Sequence, residues 1–108
     1  MEFLVEFDVH VPSGTPASEV ERRVTAEAIA ADALAEQGIL VRLWKLAGEP
    51  GTNRAIGVYR SSSEALLSDL LEGLPLSDWM QITVTPLEPH PNDPAVNASN
   101  SQGVGARQ

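Results

Sequence analysis

Hydrophobic and polar residues alternate from the first residue of the chain. Over residues 1–11, apolar side chains occupy every odd position and polar side chains occupy most of the even positions. A period of two over this length is typical of a β-strand with one buried face. Pro12 and Pro16 follow with a glycine between them, and they end the strand because proline cannot donate a hydrogen bond to the ladder.

A helical period comes next. The pattern predicts a helix from about Glu19 to Gln37, with Ser18 as the N-cap and Gly38 as the residue that ends it. Glu27 lies within roughly 60° of each apolar position on the inner face of this helix. Those apolar positions are Val20, Val24, Ala31 and Leu34. A carboxylate inside the apolar stripe is the most informative irregularity in the chain.

The segment from Gly38 to Gly48 is apolar at nearly every position except Arg42 and Lys45. Such a run, bounded by glycines, predicts a central strand that is buried on most of both faces. A cation in a buried strand is costly unless it finds a carboxylate or faces a cavity. Arg42 is therefore predicted either to pair across the sheet or to face a site.

Three further elements complete the pattern. A hairpin-like connection over residues 49–52 leads to a strand from Asn53 to Arg60, in which Gly57 indicates a bulge or a close backbone approach. Residues 61–64 match a capping box, with Ser61 as the cap of a helix that carries a stripe of leucines. Residues 80–84 alternate again and predict a fourth strand that ends at Pro86.

The order β-α-β-β-α-β predicts an α+β, ferredoxin-like fold with a four-stranded antiparallel sheet and two helices on one face. The other face of this sheet is left bare, so a homo-oligomer that covers it is expected. This domain is predicted over residues 1–90. Residues 91–108 are rich in Pro, Asn, Ser and Gly, which predicts a tail that is disordered unless a partner holds it.

Charge and composition narrow the classes of partner. The chain has seven basic and 15 acidic residues, for a net charge of −8. This excess of negative charge argues against nucleic acid and anionic membranes as partners. The chain has no cysteine, so disulfides and thiolate-bound zinc are excluded. No apolar run approaches the ~18 residues of a membrane span. A cytoplasmic domain is expected.

Candidate chemistry centres on Glu27, because the sequence has no Gly-rich phosphate loop, no nucleophile elbow and no metal-spaced histidine pair. A partly desolvated carboxylate has a raised pKa, which suits a general base near neutral pH. The alternative, an ion pair between Glu27 and Arg42 or Arg54, is favoured on physical grounds alone.

Cations and aromatic side chains on neighbouring strands form a second candidate set. Arg42, Arg54 and Arg60 would bind a small carboxylate substrate if some of them faced one cavity. Taken singly, each arginine is better explained as a solvated surface residue. Trp44 and Tyr59 would supply apolar walls, although core packing explains them at least as well. Trp79 is predicted to pack against a second subunit.

The chain also resembles the muconolactone Δ-isomerase family from residue 1 to about residue 91. The segments that carry this resemblance are Met1–Pro12, the helix with Glu27, Arg42–Gly48, Asn53 and Leu74–Met80. The resemblance implies a homo-oligomer built from dimers and as large as a decamer, with no cofactor and no metal. It also implies that Glu27 is the base for a proton shift in muconolactone and that Arg42 or Arg54 holds the lactone carboxylate.

The sequence departs from the family pattern at three places. Members commonly carry a lysine where this chain has Ala28 and a histidine where it has Arg42, and the loop over residues 49–52 differs. Two alternatives therefore stay open. One is a chloromuconolactone dehalogenase or another small cofactor-free enzyme, such as an oxygenase, on the same scaffold. The other is a non-catalytic oligomer that binds a small acid.

Overall fold

The computed structural model describes residues 1–48 and 53–95. Their elements are, in chain order, β1 (Glu2–Val9), α1 (Ala17–Glu36), β2 (Leu40–Lys45), β3 (Arg54–Arg60), α2 (Glu64–Glu72), a short 3₁₀ helix (Ser77–Trp79) and β4 (Met80–Leu87). The predicted order β-α-β-β-α-β and the ferredoxin-like fold are confirmed. The predicted connection over residues 49–52 and the tail from residue 96 onwards lie outside the described residues.

The four strands form one antiparallel sheet in the order β2-β3-β1-β4. The alternation predicted for β1 is confirmed at its centre, where Phe3, Val5 and Phe7 are buried beneath the helices. Leucines from both helices pack on this face. Together with the strand residues they form a core of Phe3, Val5, Phe7, Leu34, Tyr59, Leu67, Leu71 and Leu74. We call this side of the sheet the helix face and the opposite side the outer face.

The prediction that residues 38–48 form a central, buried strand is wrong. The strand exists, but β2 lies at the edge of the sheet and pairs only with β3. Leu43 is 49% exposed and Trp44 is 41% exposed. An apolar run predicts a strand whose side chains are buried, but it does not show which neighbouring element covers them.

The ends of α1 differ in how well they were predicted. Ser18 is not the N-cap, because the helix starts at Ala17 and the carbonyl of Pro16 accepts the N–H of Val20 at 3.2 Å. Gly38 does end the helix, with a φ of 77°. The N–H groups of Gly38 and Ile39 donate to the carbonyls of Ala35 and Leu34, which is the Schellman pattern. Neither α1 nor α2 is long and apolar enough to cross a membrane.

The cap of α2 is Ser63, whose hydroxyl accepts the Leu66 N–H at 3.1 Å, so the prediction of Ser61 is wrong. Three consecutive serines offer the same cap chemistry, and the sequence pattern does not choose among them. Trp79 is also corrected. It is only 8% exposed and packs within its own chain instead of projecting towards a second subunit.

Gly57 has the close backbone approach that its place in a strand predicted. A Cβ atom there would lie 2.8 Å from Cε1 of Tyr59 and 3.1 Å from the carbonyl oxygen of Arg42. A side chain at this position would therefore displace both β2 and the Tyr59 ring away from residue 57.

We expect Gly57→Ala to lower the free energy of unfolding by about 1–3 kcal/mol, because the added methyl group overpacks this contact. Urea denaturation measures the change. Gly73→Ala is the matched control, since Gly73 has an ordinary φ of −85° and its added Cβ would meet nothing closer than 3.5 Å. The control should be neutral or stabilising by up to about 1 kcal/mol. Equal losses in the two variants would contradict this account of Gly57.

Candidate active site

A cavity of about 320 Å³ lies between α1 and the helix face of the sheet, near the end where Asn53 precedes β3. Its wall is mostly apolar, with residues from α1, all four strands or their ends, and the segment before β4. The apolar lining consists of Phe7, Val9, Val24, Ala28, Ala31, Leu34, Leu43, Ala55, Leu74, Leu76 and Met80. Three polar residues also line it: Glu27, Asn53 and Tyr59.

Glu27 projects from α1 into this cavity and is half-buried. Its Oε1 accepts the backbone N–H of Leu76 at 3.0 Å. Burial raises the pKa of the Glu27 carboxyl, and the Leu76 hydrogen bond offsets part of that rise. Within residues 1–48 and 53–95 no cation lies within ion-pair distance of Glu27, so the expected ion pair with Arg42 or Arg54 is absent there.

The N–H that meets Glu27 comes from the short segment between α2 and β4. Leu74 and Leu76 are buried, and they anchor the segment in the core. The Ser77 N–H donates to the Leu74 carbonyl and the Trp79 N–H donates to the Leu76 carbonyl, which winds the chain into the 3₁₀ helix. The Leu76 N–H is left free of this ladder and available to the carboxylate.

Tyr59 lies on the helix face of β3, with its ring edge-on to Phe7 at a centroid distance of 6.1 Å. Burial, together with the nearby charge of Glu27, raises the pKa of Tyr59 to about 12. No hydrogen bond from the described part of the chain contributes to that shift. The phenol therefore stays protonated at neutral pH, and its hydroxyl can donate a hydrogen bond.

Arg42 and Trp44 are not in the cavity, because both lie on the outer face of β2. The pairing of β2 with β3 slips between Leu40 and Arg42, so Val41 forms a bulge. In a regular strand Arg42 would lie on the helix face, as Leu40 does. The extra residue turns Arg42 to the outer face instead. The Arg42 guanidinium instead lies 4.6 Å from the centroid of the Trp44 ring.

The other two arginines of the strands, Arg54 and Arg60, also lie outside the lining of the cavity. Arg54 lies in an outer-face groove with Glu6 and Asp8. Arg60 forms an ion pair with Glu2 at 3.0 Å. Within a single chain, none of the three strand arginines lines the cavity of Glu27, so the condition for their binding a substrate carboxylate there is not met.

A second groove and the exposed His10 are weaker candidates for a catalytic site. A groove of about 440 Å³ lies between Ile39, Arg60 and the exposed side of α2, and its lining includes the carboxylate of Asp69. His10 is exposed, lies one residue beyond the end of β1, and is 3.3 Å from Asp8. Across residues 1–48 and 53–95, no three His, Cys, Asp or Glu side chains are grouped to hold a metal.

Sequence reasoning missed the contribution of Leu76, since a backbone N–H has no side-chain signature. It also missed Arg23, which stands one helical turn before Glu27 and contacts the same segment. The only sequence signal for Arg23 was its four-residue spacing from Glu19 and from Glu27.

Comparison with known proteins places the chain in one family. The family model described as muconolactone delta-isomerase matches residues 1–93. Muconolactone Delta-isomerase 1 of Acinetobacter lwoffii is 34% identical over 92 residues, which cover 85% of this chain and 93% of that protein. A crystal structure of muconolactone isomerase matches with a TM-score of 0.76 and 30% identity, over 87% of this chain and 95% of the other.

A second solved structure is similar in fold alone. It is a 5-chloro-2-hydroxyhydroquinone dehydrochlorinase from Burkholderia phenoliruptrix, with a TM-score of 0.60 and 13% identity. The match covers 82% of this chain and 94% of the other.

We expect Glu27→Gln to raise the thermal midpoint of unfolding at pH 7, because glutamine keeps the shape and an acceptor for Leu76 without a desolvated charge. A carboxyl whose pKa is raised on folding contributes stability below its unfolded pKa and loses it as the pH rises through the folded pKa. The advantage of the variant should therefore shrink as the pH falls below the pKa of Glu27. Thermal melts between pH 3 and pH 8 measure it, and an advantage that does not change with pH would contradict this account.

Proposed function

This chain belongs to the muconolactone delta-isomerase family, and we propose that it shifts a proton, without a cofactor, within muconolactone or a substituted muconolactone. The proposed setting is the cytoplasmic catabolism of aromatic compounds towards 3-oxoadipate. The observation that supports this most is the half-buried Glu27 carboxylate, which has a raised pKa and lies in an otherwise mostly apolar cavity.

Glu27 is the proposed general base. Isomerisation of the lactone alkene removes a proton from one ring carbon and returns a proton to another, so no oxidant or reductant is required. The Glu27 carboxylate accepts the first proton and becomes a neutral acid, which the apolar wall favours. The same acid then returns the proton, and the carboxylate is regenerated for the next turnover.

Tyr59 is the proposed donor to the substrate. Removal of a proton from the lactone places negative charge on its carbonyl oxygen, and a fixed donor stabilises that charge most where water is excluded. The Tyr59 phenol is buried, protonated at neutral pH and in the same cavity as Glu27. Its role is thus more specific than the apolar wall expected from the sequence.

The substrate carboxylate needs a polar partner, and Asn53 is the proposed one within the chain. Asn53 is exposed where it lines the cavity. Its backbone carbonyl accepts the Val9 N–H at 2.9 Å, which leaves the side-chain amide for the substrate. The proposal keeps the homo-oligomer expected from the sequence. Arg42, Trp44 and Arg54 lie on the outer face, so they would reach a substrate only in the cavity of a neighbouring copy.

A second candidate substrate is a chlorinated lactone, and Ala28 favours it. Ala28 lines the cavity next to Glu27, at the position where the family resemblance implies a lysine. The short side chain leaves room for a ring substituent. Proton abstraction by Glu27 would then expel chloride with the electron pair of the broken C–H bond, and chloride release would replace isomerisation as the readout.

We expect Glu27→Gln to lower the rate of muconolactone isomerisation by about 10²–10⁴-fold, because the only proposed proton acceptor is lost. NMR in deuterated buffer measures product formation and deuterium entry together. In the wild-type chain, kcat/KM should fall as the pH drops through the Glu27 pKa, since only the carboxylate accepts a proton. Glu21→Gln, on the exposed side of the same helix, is the control. Turnover by Glu27→Gln within a few-fold of wild type would exclude Glu27 as the base.

We expect Tyr59→Phe to lower kcat by about 10²-fold, the usual cost of losing one donor to a developing oxyanion. Phenylalanine keeps the ring and its contact with Phe7, so the thermal midpoint should change little. Steady-state kinetics and a thermal melt of the same sample separate the two effects. A kcat within twofold of wild type would show that the hydroxyl does not act on the substrate.

A further inference from the structure

Arg23 makes four contacts from one side chain. Its Nε donates to Oε2 of Glu19 at 3.0 Å within α1. Its Nη1 donates to Oδ1 of Asp78 at 2.6 Å and to the Pro75 carbonyl at 3.3 Å. Its guanidinium also lies 4.3 Å from the centroid of the Trp79 ring. One helix residue therefore binds both ends of the segment from Pro75 to Trp79.

Leu76 lies inside this segment, directly after Pro75 and two residues before Asp78. Its N–H is the group that meets the Glu27 carboxylate, one helical turn along from Arg23. The Arg23 contacts thus flank the residue whose orientation decides whether Glu27 has a hydrogen-bond partner. The planar guanidinium, with its fork of donors, serves several acceptors while it stacks on a ring, which a lysine ammonium does not do.

We propose that Arg23 is a positioning residue, which holds the Pro75–Trp79 segment against α1 so that the Leu76 N–H is directed at the Glu27 carboxylate. The proposal rests on the proposed function only in taking Glu27 as the base. Arg23 touches neither the cavity nor Glu27 in the contacts described above, so its effect on the carboxylate passes through the segment.

A direct effect of charge has to be separated from this positioning effect. The charged side chains around Arg23 are Glu19 and Arg22 from α1 and Asp78 from the segment. In the described part of the cavity, Tyr59 is the other titratable group, and it stays neutral over the working range. Loss of a cation raises the pKa of a nearby carboxyl through its field, and loss of an anion lowers it.

Two substitutions together separate the explanations, because Asp78→Asn shifts the Glu27 pKa in opposite directions under them. Positioning by Arg23 requires both Arg23→Met and Asp78→Asn to raise the Glu27 pKa, because each loosens the segment and weakens the Leu76 hydrogen bond. A direct field requires Arg23→Met to raise that pKa and Asp78→Asn to lower it. The Asp78 side chain is 64% exposed, so Asp78→Asn keeps the test available even if Arg23→Met does not fold.

The experiment is a ¹³C NMR titration of the Glu27 carboxyl in the full chain, with amide exchange at Leu76 measured on the same samples. We expect a higher Glu27 pKa and about tenfold faster exchange at Leu76 in both variants. Arg22→Met is the matched control. Arg22 also binds Glu19, but it lies on the exposed side of α1, and its hydrogen bond within the described residues goes to Glu19 and not to the Pro75–Trp79 segment. It should leave both quantities unchanged.

A lowered pKa in Asp78→Asn, or an unchanged Leu76 exchange rate in both variants, overturns the role of Arg23. Both readouts are independent of turnover. If the wild-type chain does not isomerise muconolactone but the pKa and exchange results hold, the proposed function fails and the assignment of Arg23 stands. If the chain is an isomerase, the acidic limb of kcat/KM should also move to higher pH in Arg23→Met and Asp78→Asn.

Discussion

A carboxylate in an apolar cavity requires something to replace the water it has lost. At Glu27 that replacement, within the described chain, is one backbone N–H from Leu76 at 3.0 Å. A single neutral donor only partly offsets desolvation, which leaves the group able to take up a proton. The placement of the segment before β4 follows from this constraint. Leu74 and Leu76 fix it in the core, and Arg23 ties it to α1.

The sheet decides what else reaches the carboxylate. Tyr59 reaches the cavity because β3 alternates regularly, and Gly57 lets β2 approach close enough for Leu43 to form part of the wall. The bulge at Val41 then sends Arg42 to the other side. The cavity is therefore mostly apolar with few polar groups, and the strand arginines Arg42 and Arg54 are kept on the outer face. This separation preserves the raised pKa, since a guanidinium beside Glu27 would lower it.

Features that depend on local periodicity could be predicted from the sequence. The alternation of β1 and the helical spacing of Glu27 each need only a short window, and both led to the correct faces. The edge position of β2 and the face of Arg42 could not be predicted, because pairing partners and a one-residue bulge are set by the whole sheet. The N-cap of α2 was missed among three serines of equal chemistry. Leu76 was missed because every residue except proline carries the N–H that matters there.

Glu19, Arg23 and Glu27 follow one another at four-residue spacing along α1, and this register has a consequence for how the gene can change length. Each residue added to an α-helix turns everything beyond it by about 100°. An insertion or deletion between positions 23 and 27 would rotate Glu27 out of the cavity while Arg23 still bound the Pro75–Trp79 segment. The Glu27 carboxylate would then lose its hydrogen bond from the Leu76 N–H. Length variation can instead accumulate in connections outside this stretch, where a changed residue count does not rotate one group against the other.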